Sequence, residues 1–266
     1  MRIEIRAAVA VALLLIGGGC ASKQKTADSQ TRQVRLGMAE QLAARGDWAA
    51  AFQVADALVR EDPADGEALL LRAKALRKQE MNAEAEADLR KLVALQPNNP
   101  EAHAELAVLC EHASRGAEAL QHHEEADRLA PGYPRYLNNL AFALMVRGKP
   151  KDAIPKLEEA LRAEPRSPRL RNNLGYAYAA TGDFSRAFEQ FRLGGTPVQA
   201  RNNLGFAYER AGNLVQAYDL YLQAARLDPG DATARSNLLE VATKMGRTPP
   251  PEAVAPARPV SEIGGS

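Results

Sequence analysis

Small residues recur along the chain at a fixed step. Ala39, Ala73, Ala107 and Ala141 lie 34 residues apart, and Gly175 and Gly205 continue the column. Large apolar residues stand beside the later members on one helical face: Leu140 with Leu144, Leu174 with Tyr178, and Leu204 with Tyr208. A second column follows in each interval, at Ala51, Ala85, Ala119, Ala153 and Ala187, joined by Ala217. Its apolar mates include Leu157, Phe191 and Tyr221. Two amphipathic helices per interval account for both columns. The small residue of the first helix, helix A, marks where the second, helix B, crosses it; a bulky side chain there would push them apart.

Punctuation agrees with this reading. Gly46, Gly148, Gly182, Gly212 and Gly246 close the A helices, where a left-handed residue is wanted. Asp62-Pro63, Gln96-Pro97 and Asp228-Pro229 stop B helices, and Pro63, Pro97, Pro131 and Pro165 keep the same 34-residue step. The pattern predicts six helix pairs and a final single helix from Ala232 to Gly246, whose face of Arg235, Ser236, Glu240 and Lys244 suits a solvated cap. Beyond it, 247–266 is rich in Pro, Ala and Gly and is expected to be a disordered Pro-rich tail.

A 34-residue period with these small residues resembles the tetratricopeptide repeat (TPR) family, from about Thr31 to Gly246. That resemblance implies an all-α fold: a right-handed superhelical solenoid of helix pairs with a C-terminal capping helix, its A helices lining a concave face. Three departures stand out. The step from Gly175 to Gly205 is 30 residues, and Gly194-Gly195-Thr196-Pro197 replaces a normal helix end, so a short helix B is expected there. Arg72 occupies a site that is usually apolar. Pro155 falls inside a helix B, which costs on the order of 3 kcal/mol unless the helix kinks.

The first residues have another character. Arg2 and Arg6 precede an apolar run from Ala7 to Ile16, then Gly17-Gly18-Gly19-Cys20. Charge, apolar run and small-residue exit make a signal peptide over 1–19, too short to serve as a membrane span. A cysteine directly after small residues resembles the lipobox of bacterial lipoproteins, which implies lipidation at Cys20. An ordinary secreted protein cut near Gly19 is the alternative. Ala21 and Ser22 follow the cysteine, where that family carries Asp as an inner-membrane signal; the resemblance implies the outer membrane, facing the periplasm. Residues 20–33 then form a lipidated, flexible tether, and 34–246 the solenoid. With Cys20 acylated, Cys110 has no partner, so no internal disulfide is expected.

Charge narrows the functions. A formal net charge of +1 without Lys/Arg clusters argues against nucleic-acid binding. No P-loop, nucleophile elbow or zinc-helix motif occurs, so no catalytic residue, cofactor or metal is assigned. His103, His112 and His122 read as surface histidines and His123 as a core oddity, in no metal-ligand spacing. The distinctive chemistry lies in the later A helices, which repeat a polar pair: Asn138-Asn139, Asn172-Asn173, Asn202-Asn203 and Ser236-Asn237. One turn on from the first Asn of each pair comes an aromatic, Phe142, Tyr176 or Phe206; the earlier repeats have Glu40, Lys74 and Val108 there. Two readings are open. The amides can bind the backbone of an extended peptide while the rings supply apolar contact and Arg171, Arg201 and Arg235 meet acidic groups. Alternatively, one Asn of each pair ties neighbouring repeats together.

The runs Arg135-Tyr-Leu-Asn-Asn-Leu-Ala141, Arg169-Leu-Arg-Asn-Asn-Leu-Gly175 and Ala200-Arg-Asn-Asn-Leu-Gly205 are similar to the repeats of TadD-type lipoproteins of tight-adherence pilus systems. More distantly the plan resembles the type IV pilus pilotins, which help a secretin assemble. The resemblance implies a lipid-anchored scaffold whose partner is a protein or peptide, such as a pilus or secretin component. A cell-wall or outer-membrane biogenesis adaptor and a chaperone-docking module are the alternatives.

Overall fold

A computed structural model of the chain describes residues 29–254, all of whose regular elements are helices. A first helix, α1, covers 29–44. It is followed by α2 (Trp48–Glu61), α3 (Gly66–Lys78), α4 (Asn82–Leu95) and α5 (Pro100–His112). Then come α6 (Gly116–Leu129), α7 (Pro134–Val146), α8 (Pro150–Ala163), α9 (Pro168–Ala180) and α10 (Phe184–Gly194). The remainder are α11 (Pro197–Arg210), α12 (Leu214–Leu227), α13 (Ala232–Lys244) and a short α14 (Pro251–Val254). Odd-numbered helices from α1 to α13 are the A helices of the sequence pattern. The chain divides into two compact units, an N-terminal one ending at Ala113 and a C-terminal one beginning at Ser114.

Helix boundaries follow local chemistry. Asp47, Asp65, Asn99, Asp183 and Asp231 each accept a hydrogen bond from a first-turn amide. Pro100, Pro134, Pro150, Pro168 and Pro197 open their helices, where the missing N–H would have had no partner. Left-handed backbone follows every A helix, at Gly46, Gly148, Gly182, Gly212 and Gly246 as the pattern predicts. Two further sites of the same kind escaped it: Glu80 (φ 63°) and Ser114 (φ 58°) carry the conformation without glycine's freedom.

In the C-terminal unit a continuous apolar cluster runs through α7 to α11. Its logic is a size exchange across each helix pair. Where helix A offers Ala141, helix B supplies Leu157; where it offers Gly175 or Gly205, helix B supplies Phe191 or Tyr221. A Cβ at Gly175 would lie 2.5 Å from the Phe191 ring, and one at Gly205 would lie 2.8 Å from that of Tyr221. In the N-terminal unit Ala39, Ala73, Leu58, Leu69, Leu89 and Leu92 are fully buried.

The departures resolve as follows. Arg72 is half-buried and fully engaged, with Nε and Nη2 donating to the two oxygens of Asp88 (2.7 and 2.6 Å) and Nη1 to Asp56 (2.8 Å). The polar residue at an apolar site thus comes with its own counter-charges on α2 and α4. Pro155 is exposed, and α8 continues through it unbroken. The fifth B helix is short, as expected: α10 has 11 residues against 14 in the other B helices. Gly194, at its end, comes so close to α9 that a Cβ would lie 2.8 Å from the Arg171 Cβ.

Three expectations need correction. The segment read as a flexible tether over 20–33 is helical from residue 29, where α1 begins, and Arg32 within it donates to Asp65 and Glu67. His103 is buried, not a surface histidine, because its ring is 3.0 Å from the Pro97 carbonyl in the preceding turn. Of the segment read as a disordered tail, residues 247–254 pack against α12 and α13: Pro251 opens α14 at a position proline tolerates, and Ala253 is buried with Tyr218, Tyr221 and Leu238. Residues 255–266, the leader and Cys20 lie outside the described residues. Cys110 is buried in α5.

Candidate functional site

The A helices α7, α9 and α11 lie side by side in the C-terminal unit, and a groove of about 650 Å³ runs across them. Phe142, Met145 and Val146 come from α7, Asn173, Tyr176 and Ala180 from α9, and Phe206 and Arg210 from α11. Helical spacing explains the set. Phe142 and Val146, Tyr176 and Ala180, and Phe206 and Arg210 are each one turn apart, so three helices present the same two rows. Phe142 is 51% exposed and Phe206 47%, high values for phenylalanine in a well-packed chain.

Tyr176 holds the centre. Its ring meets Phe191 below at 4.9 Å and Phe206 beside it at 5.9 Å, both edge-on. Burial raises its phenol above the ordinary value, so it stays neutral at physiological pH. Phe206 therefore stands against a supported ring. Val146 is exposed at the end of its row.

Four of the asparagines bond to one another. Asn173 Nδ2 donates to Asn138 Oδ1 at 2.8 Å, and Asn203 Nδ2 donates to Asn172 Oδ1 at 3.3 Å. The first Asn of one pair thus accepts from the second Asn of the next, linking α7 to α9 and α9 to α11. This is the tying role left open by the sequence. The series stops at α13: Asn202 is buried and its Oδ1 has no hydrogen-bond partner, so no third link forms with Asn237. Asn139, which occupies on α7 the position of Asn173 on α9, is half-buried.

The arginines are also drawn inward. Arg171 donates to the Pro165 carbonyl (3.0 Å) and to Gln190 (2.8 Å). Arg201 donates to the Pro197 carbonyl (3.0 Å), and Arg235 to that of Pro229 (2.7 Å). With His103 on Pro97, three of these four groups sit six residues beyond the proline whose carbonyl they hold. They serve the turns between repeats. Sequence reasoning missed Met145, Val146 and Arg210 as groove residues, although Val146 and Arg210 are one turn beyond Phe142 and Phe206. Among the described residues, no group of three His, Cys, Asp or Glu side chains is placed to hold a metal.

Comparison with known proteins bears on the whole chain. Models of the tetratricopeptide repeat match residues 36–99, 70–134 and 138–197, and a second model of the same repeat matches 198–231. No curated protein matches. Among solved structures, the chain is similar to PilF of Pseudomonas aeruginosa (20% identity, 80% of this chain and 98% of that one, TM-score 0.63). It is similar also to PilW, a widely conserved type IV pilus biogenesis factor (20%, 79% and 99%, TM-score 0.64). A third is YrrB, a repeat protein with an unusual peptide-binding site (21%, 68% and 95%, TM-score 0.56). At these identities the likeness concerns the fold.

Proposed function

This chain belongs to the tetratricopeptide repeat family, and we propose that it is a scaffold which holds a protein partner in the groove across α7, α9 and α11, without catalysing a reaction. The observation that carries this reading is the open aromatic row. Two half-exposed phenylalanines on A helices of the same groove, beside a half-buried tyrosine, expose apolar area that folding alone has no reason to leave uncovered. A protein of this fold with a peptide-binding site is among its structural neighbours. Rigid aromatic contacts dominate the energy of such interfaces.

The setting we propose is the bacterial envelope. Cys20 carries the lipid, the residues between it and the start of α1 form the tether, and the folded portion faces the periplasm from the outer membrane. There it would serve in assembly of a pilus or secretion machine. Support comes from the sequence of the leader, from the likeness of the repeats to TadD-type lipoproteins, and from a structural neighbour, PilW, that is a type IV pilus biogenesis factor.

Affinity capture from detergent-solubilised envelope tests this, with the native chain and a Phe142→Ser/Phe206→Ser variant as paired baits. The expected result is a pilus or secretin component retained by the native bait and lost by the variant, whose helicity is unchanged because both side chains are exposed. Equal retention by both baits would place the contact away from the groove. A Cys20→Ala chain is expected to leave the membrane fraction, and its persistence there would remove the anchor from the proposal.

A further inference from the structure

We infer that the segment held in this groove is amphipathic and acidic: it inserts bulky apolar side chains against Phe142, Tyr176 and Phe206 and places a carboxylate on Arg210. This rests on the reading of the groove as a docking site and specifies the chemistry of what docks.

The apolar half of the argument is the row itself. Met145, Val146, Ala179 and Ala180 extend it with carbon and methyl surface, and Asn173, the one amide in the lining, already donates to Asn138. The charged half is the edge. Arg210 is exposed, lines the groove, and is its only charged lining residue. The neighbouring carboxylates are already committed. Glu209 accepts from Tyr221 (2.9 Å) and Lys244 (2.6 Å), and Glu240 accepts from the same lysine (2.6 Å). No ion pair joins Arg210 to another described residue, in contrast to Arg32, Arg72, Arg77 and Lys156. A groove that is apolar along its floor and bears one arginine without an ion pair complements apolar residues accompanied by acid. A basic segment would bring like charges together there.

The test uses three fluorescein-labelled synthetic peptides of equal length and common Gln/Ser background. One carries phenylalanine and leucine with glutamates, the second replaces the glutamates by lysines, and the third keeps the glutamates but replaces the apolar residues by serine. Fluorescence anisotropy is read against the full chain and its Arg210→Glu and Phe142→Ser/Phe206→Ser variants. The first peptide is expected to bind best, by about tenfold over each of the others, equal to one decade of Kd. Arg210→Glu is expected to invert the preference between the first and second peptides. Loss of binding in the phenylalanine variant, combined with no charge preference, overturns the acidic assignment and leaves the groove reading intact. Binding that ignores the phenylalanine variant, or no binding by any peptide, removes both. If the first peptide binds only after residues 255–266 are deleted, the chain's own C-terminal segment is the occupant. If binding instead competes with self-association seen by sedimentation, a second copy is. Either result overturns the inference.

Discussion

In the N-terminal unit, α3 reaches α5 through charge. Lys74 pairs with Glu101 at 2.7 Å and Arg77 with Glu105 at 3.1 Å, while Arg32 on α1 grips Asp65 and Glu67 at the start of α3. In the C-terminal unit, α9 reaches α7 and α11 through neutral amides. The positions correspond. Glu105 stands in the row of Asn139 and Asn173, and Lys74 in the row of Phe142 and Tyr176. The same helical site thus carries a lysine turned to a neighbouring helix in one unit and a ring left to the groove in the other. Amide links use two atoms per repeat and no charge, so the remaining surface of those helices is free to be apolar. One solution spends the A-helix face on internal cohesion; the other keeps it available for a partner.

The largest expected effect breaks the charged solution. Arg72→Met leaves Asp88, only 7% exposed, without its cation, while Asp56 keeps Arg60 at 2.7 Å. A loss of about 2–4 kcal/mol is expected, since removing one partner strands the other charge. An Arg72→Met/Asp88→Leu double variant should recover much of it. Trp48, the one tryptophan, lies in α2, so urea unfolding followed by its fluorescence reads this unit.

A smaller effect grades the amide links. Asn173→Ala removes the 2.8 Å bond and leaves the buried Asn138 oxygen unpartnered, at about 1–2 kcal/mol. Asn203→Ala removes only a 3.3 Å contact to a half-buried partner and is expected to cost less. Thermal melts by circular dichroism give the order. An equal cost for both would show that the links are not graded by geometry.

The smallest effect separates the two chemistries by pH. The Arg32 guanidinium, bonded to Asp65 at 2.6 Å, holds its carboxyl below the ordinary carboxylate value. The unfolded chain therefore binds the proton first as acid is added. The contribution of this pair is present above the ordinary value near 3.8 and is lost as the pH falls through the lowered one. The Trp48 urea midpoint should drop over that acid range, and Asp65→Asn should flatten some of the drop. The Asn138–Asn173 and Asn172–Asn203 links do not titrate.

Much of this was legible in the sequence, and what was not has physical causes. Period and punctuation announce helices because a recurring small residue has only one use when two helices cross. The shortened α10 could be counted directly. Glu80 and Ser114 escaped because the left-handed turn is imposed by the helices on either side and does not require glycine. The aromatic row was identified, but the direction of the amides was not: whether an asparagine faces a ligand or the next repeat depends on a neighbour 31 or 35 residues away. The bonds of Arg171, Arg201 and Arg235 to proline carbonyls were not foreseen either, since backbone acceptors leave no trace in a side-chain pattern. Arg210 was passed over because a single arginine ending a helix looks like any other solvated charge.

The end of α10 has a consequence for how such a chain changes length. The step out of the fifth repeat is shorter than its siblings, 30 residues against 34, and the loss falls just before Thr196. There the Thr196 side chain accepts from the Gln199 amide and the Gln199 side chain accepts from that of Thr196, with Pro197 at the first helical position. This reciprocal cap lets α11 start on its own instructions, independent of what precedes it. A deletion upstream is then absorbed at a single joint, and the Asn172–Asn203 bond still closes across 31 residues where Asn138–Asn173 spans 35. In a chain built by copying one unit, such self-starting helices are where insertions and deletions can be accepted without erasing the register of the copies on either side.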